Sequence, residues 1–167
     1  MHWKKVWTKQ KEGFYMAKAV IVYHSEHHGN TRKLVEAVAA AHAVRLVEAK
    51  NAAGMDFSEY DTIGFASGIY MAGVHPSLEA LLGEASLRGK KAFVICTSGS
   101  GNAKYSAAFA AKLKEAGLAL LGVYHCKGFD TNGPFGLIGG IAKGHPTAEE
   151  IDGAVRFYGQ SVAQALA

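Results

Sequence analysis

The sequence is poor in the residues that would place it in several common classes. It has two cysteines and three prolines in 167 residues, and only 19% of its residues are charged. No apolar run approaches the roughly 20 residues that a bilayer span needs. The first fifteen residues have no consistent period and no secretory hydrophobic region. Cys96 and Cys126 both fall in or at the end of apolar, strand-like runs. A disulfide scaffold is therefore not indicated, and two buried thiols in a reducing, cytoplasmic setting are expected. No internal repeat is present. Nor is there a basic stripe: of the net charge of +4, residues 1–15 hold +3, in Lys4, Lys5, Lys9 and Lys11 against Glu12, which leaves +1 for the rest. Nucleic acid is accordingly not an expected partner.

What is present is a chain that is 49% apolar, long enough for one domain with a substantial core. Residues 1–15 read as an N-terminal extension and residues 16–167 as the domain. Met16 stands just before the first strand, and Lys11-Glu12-Gly13 can be encoded by a purine-rich, ribosome-binding-like message. Met16 is thus the expected natural start, with an ordinary N-terminal arm as the alternative.

Within the domain, strands are expected at Lys18–Tyr23, Val44–Glu48, Thr62–Ala66, Ala92–Cys96 and Ala119–His125. Helices are expected at Thr31–His42, from Pro76 with Leu78, Leu81, Leu82 and Ala85 inward, across Tyr105, Phe109, Leu113 and Ala116, and from a Thr147/Glu150 capping box onward. Strands that alternate with helices imply a parallel sheet covered on both faces. The unbroken apolar strands agree with that burial.

Val20-Ile21-Val22-Tyr23 runs through a polar turn, Ser25 to Thr31, into a helical pattern bearing Leu34, Val35, Val38 and Ala41. A strand that turns into a helix this way aims free backbone N–H groups and the positive helix end at one point, which is a phosphate seat. Ser25 to Thr31, closing on Gly29-Asn30-Thr31, resembles the phosphate-binding loop of the flavodoxin family, with His27-His28 where hydroxyl residues are common. The resemblance covers about Ala17 to Leu166. It implies an α/β, flavodoxin-like, doubly wound five-stranded parallel sheet of order 2-1-3-4-5 with helices on both faces. It also implies non-covalent binding of flavin mononucleotide, FMN. In that topology ligands lie beyond the carboxyl ends of the strands.

Three polar, glycine-bearing turns are expected to meet there. The first offers a phosphate the backbone N–H groups from His28 to Thr31, the hydroxyls of Ser25 and Thr31, and a ring N–H of His27 or His28. A protonated imidazole on the phosphate would make flavin affinity fall as pH rises. The plainer alternative is Asn30 as a helix cap with two solvent-facing histidines. The second turn, expected as a loop from Ser67 to His75 through Gly68, Ile69 and Tyr70, supplies an aromatic wall for a flat ring. The alternative is a packing tyrosine. The third, Thr97 to Asn102, presents Ser98, Gly99, Gly101 and Asn102 to the ring's other edge.

Gly99-x-Gly101 lacks the third glycine of a dinucleotide fingerprint, and Ser100 is not in a nucleophile elbow. His24, His27 and His28 have no accompanying cysteine or carboxylate set with ligand spacing, so no metal is expected. Lys127 to His145, with six glycines among Phe129, Phe135, Leu137, Ile138 and Ile141, is expected to fold back over the ring edge, Phe129 being a second ring contact. A cover over the sheet edge without a ligand role is the alternative.

These residues point to an FMN electron carrier with a redox partner protein and no catalytic residue of its own. Carriers of the family are commonly acidic and this domain is near neutral, which, with the long glycine-rich stretch, supports as the alternative an FMN-dependent reductase passing electrons from a nicotinamide or a protein donor to a small quinone-like acceptor. A flavodoxin-like module without cofactor is a further alternative. Receiver domains share the strand order but need paired acids after the first strand and an aspartate after the third; His24-Ser25-Glu26 and Ala66-Ser67-Gly68 stand there. The oligomeric state is open.

Overall fold

A computed structural model describes residues 18–166. The expectations for the N-terminal extension and for Met16 lie outside them. The elements in order are β1 (Ala19–His24), α1 (Asn30–Ala41), β2 (Val44–Glu48), β3 (Thr62–Tyr70), β4 (Gly73–Val74), α2 (Pro76–Glu79), β5 (Lys91–Ser98), α3 (Lys104–Glu115), β6 (Ala119–Lys127), α4 (Pro134–Leu137) and α5 (Ala148–Phe157). The last helix continues through a π-helical stretch, Tyr158–Ala163, into α6 (Gln164–Leu166).

The main sheet runs β2-β1-β3-β5-β6, with every one of these pairs parallel. With the two-residue β4 set aside, this is the expected 2-1-3-4-5 order. Successive side chains of a strand alternate between faces, and β1 shows why its sequence reads as unbroken apolar. Val20 and Val22 enter one core, with Leu78 and Leu81 from α2 and the turn after it and Phe109 and Leu113 from α3. Ala19, Ile21 and Tyr23 enter the other, with Leu34, Val35 and Val38 from α1 and Ala154, Tyr158 and Val162 from the C-terminal helix. Each fully buried large apolar side chain contributes about 1.5–3 kcal/mol.

Several boundaries differ from expectation. β3 does not stop at Ala66: Ser67 and Gly68 pair with Cys96 and Thr97, and Ile69 and Tyr70 continue the strand by pairing with β4. The chain then reverses at Met71-Ala72, both left-handed with φ of 49° and 67°, and Tyr70 faces Gly73 in a hairpin with β4. The stretch Ser67 to His75 is thus mostly strand, not loop. β5 and β6 likewise extend to Ser98 and Lys127. From Pro76 only one α-helical turn forms, and Ala80–Gly83 and Ala85–Leu87 are 3-10 turns. Leu78 and Leu81 are buried there, but Ala85 is exposed. Lys127 to His145 carries α4 and a bridge between Asp130 and Ile141 in place of a structureless loop. The first strand and helix shift by one residue at each end, within the ordinary fraying of such limits.

Candidate functional site

The carboxyl ends of β1, β3 and β5 open on one cleft. It is lined by Glu26, His27, Asn30 and Thr31 from the first turn, Gly68, Ile69 and Tyr70 from β3, Thr97, Ser98 and Gly99 from β5 and beyond, and Gly128, Phe129, Asp130 and Asn132 after β6. Its free space is about 440 Å³, counting the open mouth.

The first turn has an unusual backbone. His27, His28 and Gly29 are successively left-handed, with φ of 39°, 62° and 63°. Gly29 caps α1 without a side-chain hydrogen bond. Among the described residues, no protein acceptor takes the backbone N–H of His27, His28, Gly29, Asn30 or Thr31; the first N–H that is satisfied belongs to Arg32, which donates to Ser25 Oγ at 3.2 Å. Five successive N–H groups at a helix start are an arrangement able to hold an anion.

The side chains of this turn take varied roles. Thr31 is buried, and its hydroxyl meets that of Thr97 at 3.0 Å, which ties the first turn to β5. Asn30 does not cap the helix: its Nδ2 donates to the Phe129 carbonyl at 2.8 Å, and its Oδ1 is buried with no partner. Ser25 lies behind the cleft on Arg32 N. His28 turns away from the cleft lining, with Nε2 3.1 Å from Thr131 Oγ1 and its ring 4.2 Å from that of Phe129. His27 lines the cleft and is largely exposed.

The other two turns are brought in as follows. Tyr70 lines the cleft, accepts the Glu26 N–H at 3.2 Å, and packs edge-on against the rings of His24 and His75. Burial pushes its phenol up from the ordinary value. Ser67 is buried beneath, donating to the Gly68 carbonyl and accepting the His75 N–H at 3.0 Å. Ser98 and Gly99 line the cleft, whereas Gly101 and Asn102 do not: Gly101 N–H returns to Ser98 Oγ at 2.8 Å and Asn102 Oδ1 takes Lys104 N–H.

The strap from Gly128 to His145 closes the cleft. A Cβ on Gly128 would lie 2.7 Å from Asn30 Nδ2, so the close approach of strap to seat requires glycine there. A Cβ on Gly99 would lie 2.5 Å from Ile141 and 3.1 Å from Asp130 Oδ2. Phe129 N–H donates to His145 O, and His145 Nδ1 lies 2.8 Å from Glu150 Oε2. Thr147 and Glu150 form the expected capping box.

Of the residues expected at the site, His27, Asn30, Thr31, Gly68, Ile69, Tyr70, Ser98, Gly99 and Phe129 share the cleft. Ser25, His28, Gly29, Ser67, Gly101 and Asn102 support it from behind or beside. Glu26, Thr97, Gly128, Asp130 and Asn132 lie in segments expected at the site but are not among the residues singled out from the sequence. The signal for Thr97 was its place at a strand end; for Asp130 and Asn132 it was their polarity among glycines. Among the described residues the lining includes no lysine or arginine, so an anion held by these residues would depend on backbone N–H groups.

The flavodoxin domain family's sequence pattern matches residues 20–126, and the chain belongs to that family. An uncharacterised protein of Methanocaldococcus jannaschii is 37% identical over 142 residues, 84% of this chain and 95% of the relative. Among solved structures, a flavodoxin from the Archaea matches with a TM-score of 0.62 at 15% identity, covering 89% of this chain and 99% of its own. A WrbA-like flavodoxin of Agrobacterium tumefaciens matches at 0.58 and 21% identity, covering 88% and 95%. A flavoprotein of Lactobacillus acidophilus, solved in complex with FMN, matches at 0.50 and 19%, covering 64% and 91%. These structural likenesses concern the fold.

Proposed function

We propose that this chain binds FMN without a covalent bond in the cleft and acts as a flavodoxin-type electron-transfer protein. The observation that carries the reading is the run of five backbone N–H groups, His27 to Thr31, at the start of α1 that have no acceptor among the described residues. That seat suits a terminal phosphate dianion. Beside it Asn30 Oδ1 is buried with no partner among the described residues, and it would accept a hydrogen bond from a hydroxyl-bearing ligand such as the ribityl chain. Tyr70, fixed by the Glu26 N–H and two imidazoles, is the wall against a flat ring. Phe129 and the strap exclude water from the opposite side. When bound, FMN supplies the redox chemistry, and the chain's residues bind, orient and shield it.

Comparing FMN with riboflavin tests this reading by removing only the phosphate. Fluorescence-quenching titration is expected to show FMN binding at least about a hundredfold more tightly, several charge-assisted hydrogen bonds being lost with the phosphate. Equal affinities, or no binding of FMN, would sink it.

A second reading is an FMN-dependent reductase with a quinone-like acceptor. The near-neutral charge of residues 16–167, +1, supports it, because no acidic field is available to steer a basic carrier partner. Steady oxidation of NADH or NADPH by the FMN-loaded protein with a soluble quinone separates the two; a carrier alone leaves the nicotinamide unconsumed.

A further inference from the structure

The main sheet has two edges, and they are finished differently. β2 is five residues long and carries Arg45 and Glu48. A short, charged edge resists pairing with another chain. β6 is nine residues long, and from Ala119 to Cys126 it holds no lysine, arginine, aspartate, glutamate or proline. Both cores run out to it. Leu120 and Val123 pack on one, Leu121 and Tyr124 on the other, and all four stay partly exposed. β6 pairs with β5 on one side; among the described residues, no segment's backbone pairs with Leu120 to Cys126 on the other.

α5 lies along this open edge. A Cβ on Gly153 would clash with the Tyr124 phenol, and one on Gly122 would lie 3.0 Å from the Phe157 ring, so two glycines let helix and strand approach closely. Tyr124 Oη donates to the Glu150 carbonyl at 2.6 Å and fixes that approach. Glu149, Gly153 and Arg156, spaced by four and three residues, form one stripe along the groove beside Tyr124. The stripe is acidic at one end, bare in the middle and basic at the other. Glu149 and Arg156 stand about 10.5 Å apart along the helix axis, too far to pair with each other. Neither has an ion pair among the described residues.

We propose that β6 and α5 form the interface of a homodimer, in which the β6 strands of two copies pair antiparallel about a two-fold axis and join the two sheets into one. Antiparallel pairing of a strand with its own copy is symmetric, so the free N–H and C=O groups of one edge meet those of the other. An axis at the level of Tyr124 and Gly153 lies midway between Glu149 and Arg156. Glu149 then faces the partner's Arg156, and Arg156 faces the partner's Glu149. Two ion pairs form where one copy alone forms none. The net charge of +1 on residues 16–167 sets little repulsion between copies. The cleft and the groove share no lining residue, and antiparallel pairing sends the two clefts to opposite ends of the joined sheet. The dimer therefore does not rest on flavin binding.

The test is sedimentation velocity on the untagged full chain over a concentration series, which is expected to show a species of twice the monomer mass. Arg156→Glu sets like charges opposite each other and is expected to weaken the dimer about tenfold or more. Glu149→Lys alone is expected to do the same. The two changes together reverse both members of each pair and are expected to restore most of the loss, a rescue that a folding defect does not give. Lys50→Glu, an equal change of charge beside β2, is expected to leave the dimer unchanged. Hydrogen exchange of the unaltered chain needs no variant: amides between Leu120 and Cys126 are expected to exchange more slowly in the dimer than in the monomer. A monomer at every concentration, a dimer indifferent to Arg156→Glu, or no rescue by the double change would overturn the interface. So would β6 amides as protected in the monomer as in the dimer, which would assign the edge to residues 1–17.

Discussion

The two walls of the cleft are built differently. The seat is made of strand ends and the turn they feed. Thr31, Ser67 and Thr97 are buried there, and the ladders of β1, β3 and β5 fix their positions. The strap from Gly128 to His145 contributes few buried side chains, and Leu137 and Ile138 on it are 90% and 73% exposed. It is held by discrete polar contacts: Asn30 to the Phe129 carbonyl, His28 to Thr131, the Asp130–Ile141 bridge and His145 to Glu150. A wall that shares the global core opens only with global unfolding, whereas one held by a few surface hydrogen bonds opens locally. The difference teaches where opening is expected first: at the strap, with the strand ends and first turn still formed.

The largest effect is expected in the core that holds the seat's strands. Phe93 on β5 is fully buried, edge-on to Tyr158, so Phe93→Ala should cost about 3–5 kcal/mol in denaturant unfolding. A small cost would break the claim that the seat shares the core's stability. Next, Thr31→Val leaves the buried Thr97 hydroxyl without its partner and should cost about 1–3 kcal/mol, with seat and core still unfolding together in hydrogen exchange.

The strap should respond on a smaller, local scale. Asn30→Ala removes the tie to Phe129 and should favour strap opening by about 1 kcal/mol. The check is faster exchange and proteolysis confined to residues 128–145 with an unchanged global midpoint; a shifted global midpoint with an unchanged strap would reverse the comparison.

Acid should act on the same wall. Burial works to raise the Glu150 pKa, but the Thr147 N–H and the His145 ring outweigh it and hold the carboxyl below its ordinary value. A depressed folded value means that its contribution is complete above the unfolded value of about 4.3 and is lost as pH falls through the lower folded one. Strap exchange should therefore accelerate below about pH 4.3, and Glu150→Gln should remove that acid dependence.

The smallest effect is expected at the thiols. Burial pushes both Cys96 and Cys126 up to about 12, so neither should react with a disulfide reagent at pH 8 until the protein unfolds. Prompt reaction of Cys96 in the native state would show that the seat's wall breathes.

Much of this was legible in the sequence because it is written in local pattern. The apolar runs of β1, β3 and β5, the Thr147/Glu150 capping box and the Gly29-Asn30-Thr31 turn each declare themselves within a few neighbours. The hairpin after β3 was hidden because Met71 and Ala72 occupy a two-residue turn with positive φ, where Asn or Gly is the usual marker. The extra length of β3, β5 and β6 was hidden because serine, glycine and lysine at their ends carry no strand signal, and only the ladder between them holds those residues extended.

The chain's own order of apolar and polar residues thus determined a parallel sheet with two covered faces and a phosphate-type turn after its first strand, since burial and helix-start geometry depend on neighbours a few residues away. Only the tertiary structure decided which side chains face the cleft. It sent Thr31 to Thr97 and Asn30 to the strap, and it set His75 on the face of His24, fifty-one positions earlier. Those pairings depend on strand register and on a hairpin fold-back, and contacts between distant segments leave no periodic trace along the polymer.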